Sequence, residues 1–170
     1  MDFPWEAPQP GPSFFDLKRN PELVAALPEA TQFPEMAAHL AFVNSPLLTL
    51  QSSKCDVWYT RSLAPEDEIF ALSVKFGSYV DLVFADPERQ TSFEAHQSLA
   101  KKLSELLKKV PDIPCSVEVI VRRCWFGDLE GFYFTVYCFG FGTDENSSRC
   151  QWAISLRLVE NAISQAERAG

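Results

Sequence analysis

Apolar residues recur every three or four positions in some stretches of this chain and every second position in others, so helices and strands alternate along it. The clearest helical stripe is Phe93, His96, Ala100, Leu103, Leu107 and Val110. It is entered through Thr91-Ser92-Phe93-Glu94, which reads as a capping box on Thr91, and it ends at Pro111; Asp86-Pro87 offers an earlier helix start. Lys101, Lys102, Lys108 and Lys109 fall on its solvated faces. Trp152, Leu156, Val159 and Ile163, widened by Ile154, Leu158 and Ala162, predict a last helix. Nearer the start, Asn20-Pro21 predicts a short helix over residues 21–27 that stops at Pro28. Phe33, Met36, Ala37, Leu40 and Ala41 predict another, ending before Pro46.

The period-two stretches predict strands over residues 47–51 and 55–60, parted by the turn-prone Ser52-Ser53 pair. Residues 68–85 read as a hairpin about Gly77-Ser78. A three-residue loop pairs Phe76 with Val80, Val74 with Leu82 and Leu72 with Phe84, and sets Lys75 and Asp81 on the opposite face. A second hairpin joins residues 116–126 to 131–141 through the four residues Gly127-Asp128-Leu129-Glu130. Val117, Val119, Val121 and Trp125 then lie on one face with Phe132, Phe134, Val136 and Cys138. Glu118, Ile120, Arg122 and Cys124 lie on the other with Tyr133, Thr135, Tyr137, Phe139 and Phe141.

The expected fold is α+β: an antiparallel sheet of five or six strands in two hairpins, covered on one face by two or three helices, in the order α-β-β-β-β-α-β-β-α. Residues 1–20, with prolines at 4, 8, 10 and 12, read as an irregular arm packed on the domain, and residues 21–170 as one α+β domain. In outline alone this order is similar to that of secretion chaperones, α+β dimers that bind protein partners without catalysis.

Composition sharpens this only in places. A chain of 170 residues is one core's worth, and 14 Phe and 4 Trp need a core or an interface to enter. The formal charge of −8 repels phosphate backbones and anionic lipid, which disfavours nucleic acid and membrane surfaces as partners. With neither a basic leader nor an apolar run of membrane-spanning length, the expected location is the cytoplasm. Cys55, Cys115, Cys124, Cys138 and Cys150 are scattered, show no metal or redox spacing, and read as reduced thiols.

No motif dictates a chemistry, so no catalytic residue, metal site or cofactor is expected. Gly140-Phe141-Gly142-Thr143 precedes a helix, but Asp144 and Glu145 take that helix start and would repel a phosphate. What stands out is the second sheet face. An antiparallel face turned to water should be polar, yet this one carries Arg122, Tyr133, Tyr137, Phe139 and Phe141. Three occupants compete for it: the proline-rich arm or first helices, a second subunit or protein partner, and a small molecule in a ring-lined cavity. The leading expectation is a non-catalytic interaction module, adaptor or chaperone-like, that acts as a homodimer with those five residues as anchors. The alternative is a small-molecule-binding domain, and an enzyme with a Cys/His or carboxylate site comes third.

Overall fold

The computed structural model describes residues 15–63, 72–126 and 128–168. Among these the fold is α+β. Four strands, β1 (Leu50–Thr60), β2 (Val74–Phe84), β3 (Cys115–Phe126) and β4 (Leu129–Gly142), form one antiparallel sheet in the order β1-β2-β4-β3. A 3-10 turn (Pro21–Ala26) and the helices α1 (Pro28–Gln32), α2 (Pro34–Val43), α3 (Pro87–Gln90), α4 (Phe93–Leu107) and α5 (Glu145–Arg168) complete it.

Two expectations about the strands are overturned. Residues 47–51 and 55–60 are not two strands: β1 runs through Ser52-Ser53 and absorbs the extra residue as a bulge between Ser52 and Lys54. Nor does the chain turn at Gly77-Ser78. β2 runs straight through them, Gly77 pairing with Trp58 on one side and Phe139 on the other. The part of the expected hairpin before Leu72 lies outside the described residues. A Cβ on Gly77 would come within 2.9 Å of both the Trp58 and Phe139 rings, so this glycine makes room for rings rather than for a bend. Ser78 points the other way and accepts a 2.8 Å hydrogen bond from Trp152 Nε1 in the core.

The β3–β4 hairpin exists, but its ladder continues to Phe126↔Leu129, two residues past the expected four-residue loop. A shift of two keeps every side chain on its face, so the expected division holds: Val117, Val119 and Val121 sit beside Cys138, Val136 and Phe134.

The helical side of the sheet carries the core. Phe76, Val80, Leu82, Phe84, Phe134 and Val136 meet Met36 and Leu40 of α2, Leu99 and Leu103 of α4, and Trp152, Leu156, Val159 and Ile163 of α5. Each large side chain removed from water there contributes about 1.5–3 kcal/mol. α5 spans about 36 Å, and its far end is tied to the start of β1 by Glu167, which accepts from the Thr49 backbone and hydroxyl. Ile154, expected to widen its buried stripe, is exposed.

Polar groups close the helix ends and junctions. Asp86 caps α3 and Ser92 caps α4, so both expected starts are used, but the α4 cap lies one residue past Thr91. Asn20 makes no side-chain cap. The Lys18 ammonium donates to the carbonyls of Ser45, Leu48 and Leu50 at 2.8, 2.8 and 2.9 Å. That pins the described end of the arm, together with buried Leu17, to the α2–β1 junction.

Candidate functional site

The face of β1–β4 turned away from α2, α4 and α5 alternates with the core face along each strand. From β1 it takes Trp58, from β2 Lys75, Gly77, Tyr79 and Asp81, from β4 Tyr133, Thr135, Tyr137, Phe139 and Phe141, and from β3 Glu118, Ile120 and Arg122. All five residues singled out from sequence are therefore together on it. They are not equally accessible. Tyr133, Phe139 and Phe141 are 9%, 8% and 2% exposed, whereas Tyr137 and Arg122 are half-buried.

The rings form a connected set. Trp58 lies 6.4 Å from Tyr79, 6.5 Å from Tyr137 and 6.0 Å from Phe139, and Tyr137 stacks on Phe139 at 5.9 Å with 11° between planes. Offset and edge-on contacts at these distances are the favourable ones for aromatic quadrupoles. The Lys75 ammonium sits 4.0 Å over the Phe139 ring.

Beside the rings runs a polar chain. Arg122 Nε donates to Thr135 Oγ1 at 3.0 Å, and Thr135 Oγ1 donates to Asp81 Oδ1 at 2.7 Å. Arg122 Nη2 also reaches the Tyr137 hydroxyl at 3.5 Å. Asp81 is only 6% exposed. Burial pushes its carboxyl above the usual carboxylate range, although the Thr135 hydrogen bond and the charges of Lys54 and Arg122 pull the other way. Burial and the nearby Asp81 charge push the Tyr79 phenol up, so it stays a neutral donor at physiological pH.

A carboxyl raised in the fold costs stability at neutral pH, and the cost disappears as pH falls through the folded value. Asp81→Asn keeps an acceptor for Thr135 and removes the charge. It is expected to raise the thermal midpoint at pH 7, by about 2–4 °C for each kcal/mol gained, with the gain shrinking toward acid pH in a scanning calorimeter. A lowered midpoint at pH 7 would mean that the attraction of Lys54 and Arg122 outweighs burial.

Burial pushes the thiols of Cys55, Cys124 and Cys138 up to about 12, which leaves them protonated and poorly nucleophilic. Neither histidine meets a cysteine. His39 Nδ1 lies 3.1 Å from Glu160 Oε1 in the core, and His96 Nδ1 bonds the Ser92 carbonyl at 2.8 Å among Phe84, Phe132 and Phe134. Arg149 is on the helical side, in a two-bond pair with Glu35. Among the described residues no group of three or more His, Cys, Asp or Glu is placed to hold a metal ion, and no helix is long and apolar enough to cross a membrane.

Trp58, Tyr79, Asp81 and Lys75 are the site residues that sequence reasoning missed. Their signal was parity: once residues 74–84 are one strand, Lys75, Tyr79 and Asp81 share a face with Tyr137 and Phe139, and Gly77 opposite Trp58 marks where a ring lies over the backbone. No family model, no curated protein and no solved structure matches this chain.

Proposed function

We propose that the protein is a non-catalytic interaction module, homodimeric and chaperone-like in the broad sense of secretion chaperones, that binds a protein partner through the aromatic face of its sheet. The observation that carries the reading is the joined set of Trp58, Tyr79, Tyr137 and Phe139 on the face opposite α2, α4 and α5, three of them half-buried and edged by Arg122 and Lys75. Clustered Trp, Tyr and Arg are the residues that dominate protein–protein binding energy, because each offers a rigid apolar body with a polar tip. The ligand-pocket alternative needs an enclosure among these rings. Among the described residues, a groove of about 500 Å³ lies at the C-terminal end of α4, beside β3, away from these rings.

Tyr137→Glu puts a charge at the centre of the ring set and removes its contacts with Trp58, Tyr79 and Phe139. It is expected to weaken retention of a protein partner tenfold or more in affinity capture from an extract of the source cells followed by quantitative mass spectrometry, while Tyr137→Phe, which keeps the ring, retains the thermal midpoint. Equal retention by wild type and Tyr137→Glu would sink the assignment of this face. Native mass spectra showing a bound small molecule and no protein would move the ligand-pocket reading ahead.

A further inference from the structure

We propose that two copies of the chain pair through the outer edge of β3, antiparallel about a two-fold axis at Ile120, so that two four-stranded sheets become one of eight strands. This takes the homodimeric state from the reading above and adds where the copies meet.

The strand order makes β1 and β3 the edges of the sheet. β1 is guarded. It bulges at Ser53, its Ser52 amide is taken by the Asn44 side chain at 3.0 Å, and its Leu50 carbonyl by Lys18. Among the described residues β3 has none of these devices. Its ladder with β4 runs over twelve residues without a register shift or a proline, and no described strand lies on its far side. Its centre, Val117-Glu118-Val119-Ile120-Val121-Arg122, is dominated by β-branched residues, and such an edge is a template for another strand.

A second copy fits one register. With Ile120 opposite itself, Glu118 of each copy faces Arg122 of the other, twice by symmetry, and Val119 faces Val121. Centring on Arg122 sets like charges together, centring on Val119 or Val121 leaves Glu118 without a cation, and any half-residue shift mixes the two faces of the sheet. Glu118 is exposed, and Arg122 uses only part of its guanidinium within its own chain.

An independent feature falls into place in the same register. Trp125, 41% exposed, comes opposite Cys115 of the other copy. Both lie on the helical side of the sheet, and Cys115 lines the 500 Å³ groove together with Leu107, Lys108, Val110, Asp112 and Ile113. Each copy thus presents an indole and a groove of mixed polar and apolar lining at the spacing that the Glu118–Arg122 pairing requires. The arrangement leaves the aromatic faces of both copies on one side of a continuous sheet.

Sedimentation velocity of the full chain is expected to show a dimer at micromolar concentrations. Glu118→Arg, a change at an exposed position, sets two guanidinium groups against each other at both ends of the pairing and should weaken the dimer tenfold or more, as should Trp125→Ala. Hydrogen exchange of the wild type supplies a test free of substitutions: the alternate amides between residues 116 and 124 that do not bond β4 should lose protection on dilution. A monomer at 100 µM, or a dimer that both variants leave intact, overturns the proposal. A dimer broken by Tyr137→Glu and not by Glu118→Arg overturns it too and moves the subunit contact to the aromatic face. Loss of partner capture in Tyr137→Glu with the dimer preserved separates the two sites, and a monomer that still captures its partner through Tyr137 overturns the homodimer and leaves only partner binding by the aromatic face standing.

Discussion

Gly140→Ala is expected to cost about 3 kcal/mol or more, the upper end of what overpacking does, because nothing at the site can swing aside. Gly140 of β4 lies against the first turns of α5. An added methyl would occupy the space of the Ser148 carbonyl and the Trp152 amide, and would stand 2.7 Å from the Gln151 carbonyl carbon. These are backbone atoms inside a helix, so relief requires lifting α5 off the sheet and opening the core it closes. Denaturant unfolding should show the midpoint falling steeply. Gly77→Ala is the control, since the nearest atoms to its methyl belong to the Phe139 and Trp58 side chains, which can tilt, and it should lose clearly less. Equal losses at the two positions would mean that α5 gives way as readily as a ring.

Trp152→Ala is expected to remove about 3–5 kcal/mol, a large share of the stability of an ordinary domain. The indole has no exposed surface. It packs 4.8 Å from Phe76 and 6.1 Å from Phe33, joining β2, α2 and α5 at one point. Trp152→Phe separates the two parts of this loss. Ring contact survives, but the fully buried Ser78 hydroxyl loses its donor, which costs about 1–3 kcal/mol. An alanine variant that unfolds at nearly the wild-type denaturant midpoint would show that the indole is not what holds α5 down.

Both positions lie in elements whose periodicity was plain from sequence. The α5 stripe of Trp152, Leu156, Val159 and Ile163 is the core stripe, and α4 begins within one residue of its expected cap, since adjacent Thr91 and Ser92 carry the same hydroxyl chemistry. The division of β3 and β4 into faces was also legible, because an error of two residues in the loop preserves parity. Parity is equally why sequence alone hides the true course of the chain at Gly77. A hairpin with a three-residue loop and a straight strand assign Val74, Phe76, Val80 and Leu82 to the same face, so face-sorting cannot tell them apart. What decides between them is Trp58, whose ring fills the space above Gly77, and that contact joins residues far apart in the chain. The candidate site followed the same line: the β4 rings were readable from one strand, whereas Trp58, Tyr79 and Asp81 depended on the pairing of three.

Asp81 interrupts Val80-Asp81-Leu82-Val83-Phe84, a run otherwise apolar and strongly β-prone. β2 pairs with β4 across α3, α4 and β3, so this central pairing closes a longer loop than the local β3–β4 hairpin and is expected to form after it. Until then the edge of the run that faces β4 is open. In the open chain the carboxylate is hydrated and fully charged, and a charge inside such a segment is what discourages strands of different molecules from zipping together. A carboxylate whose burial works against its charge in the finished sheet is thereby suited to guard the run against aggregation while the sheet is being made.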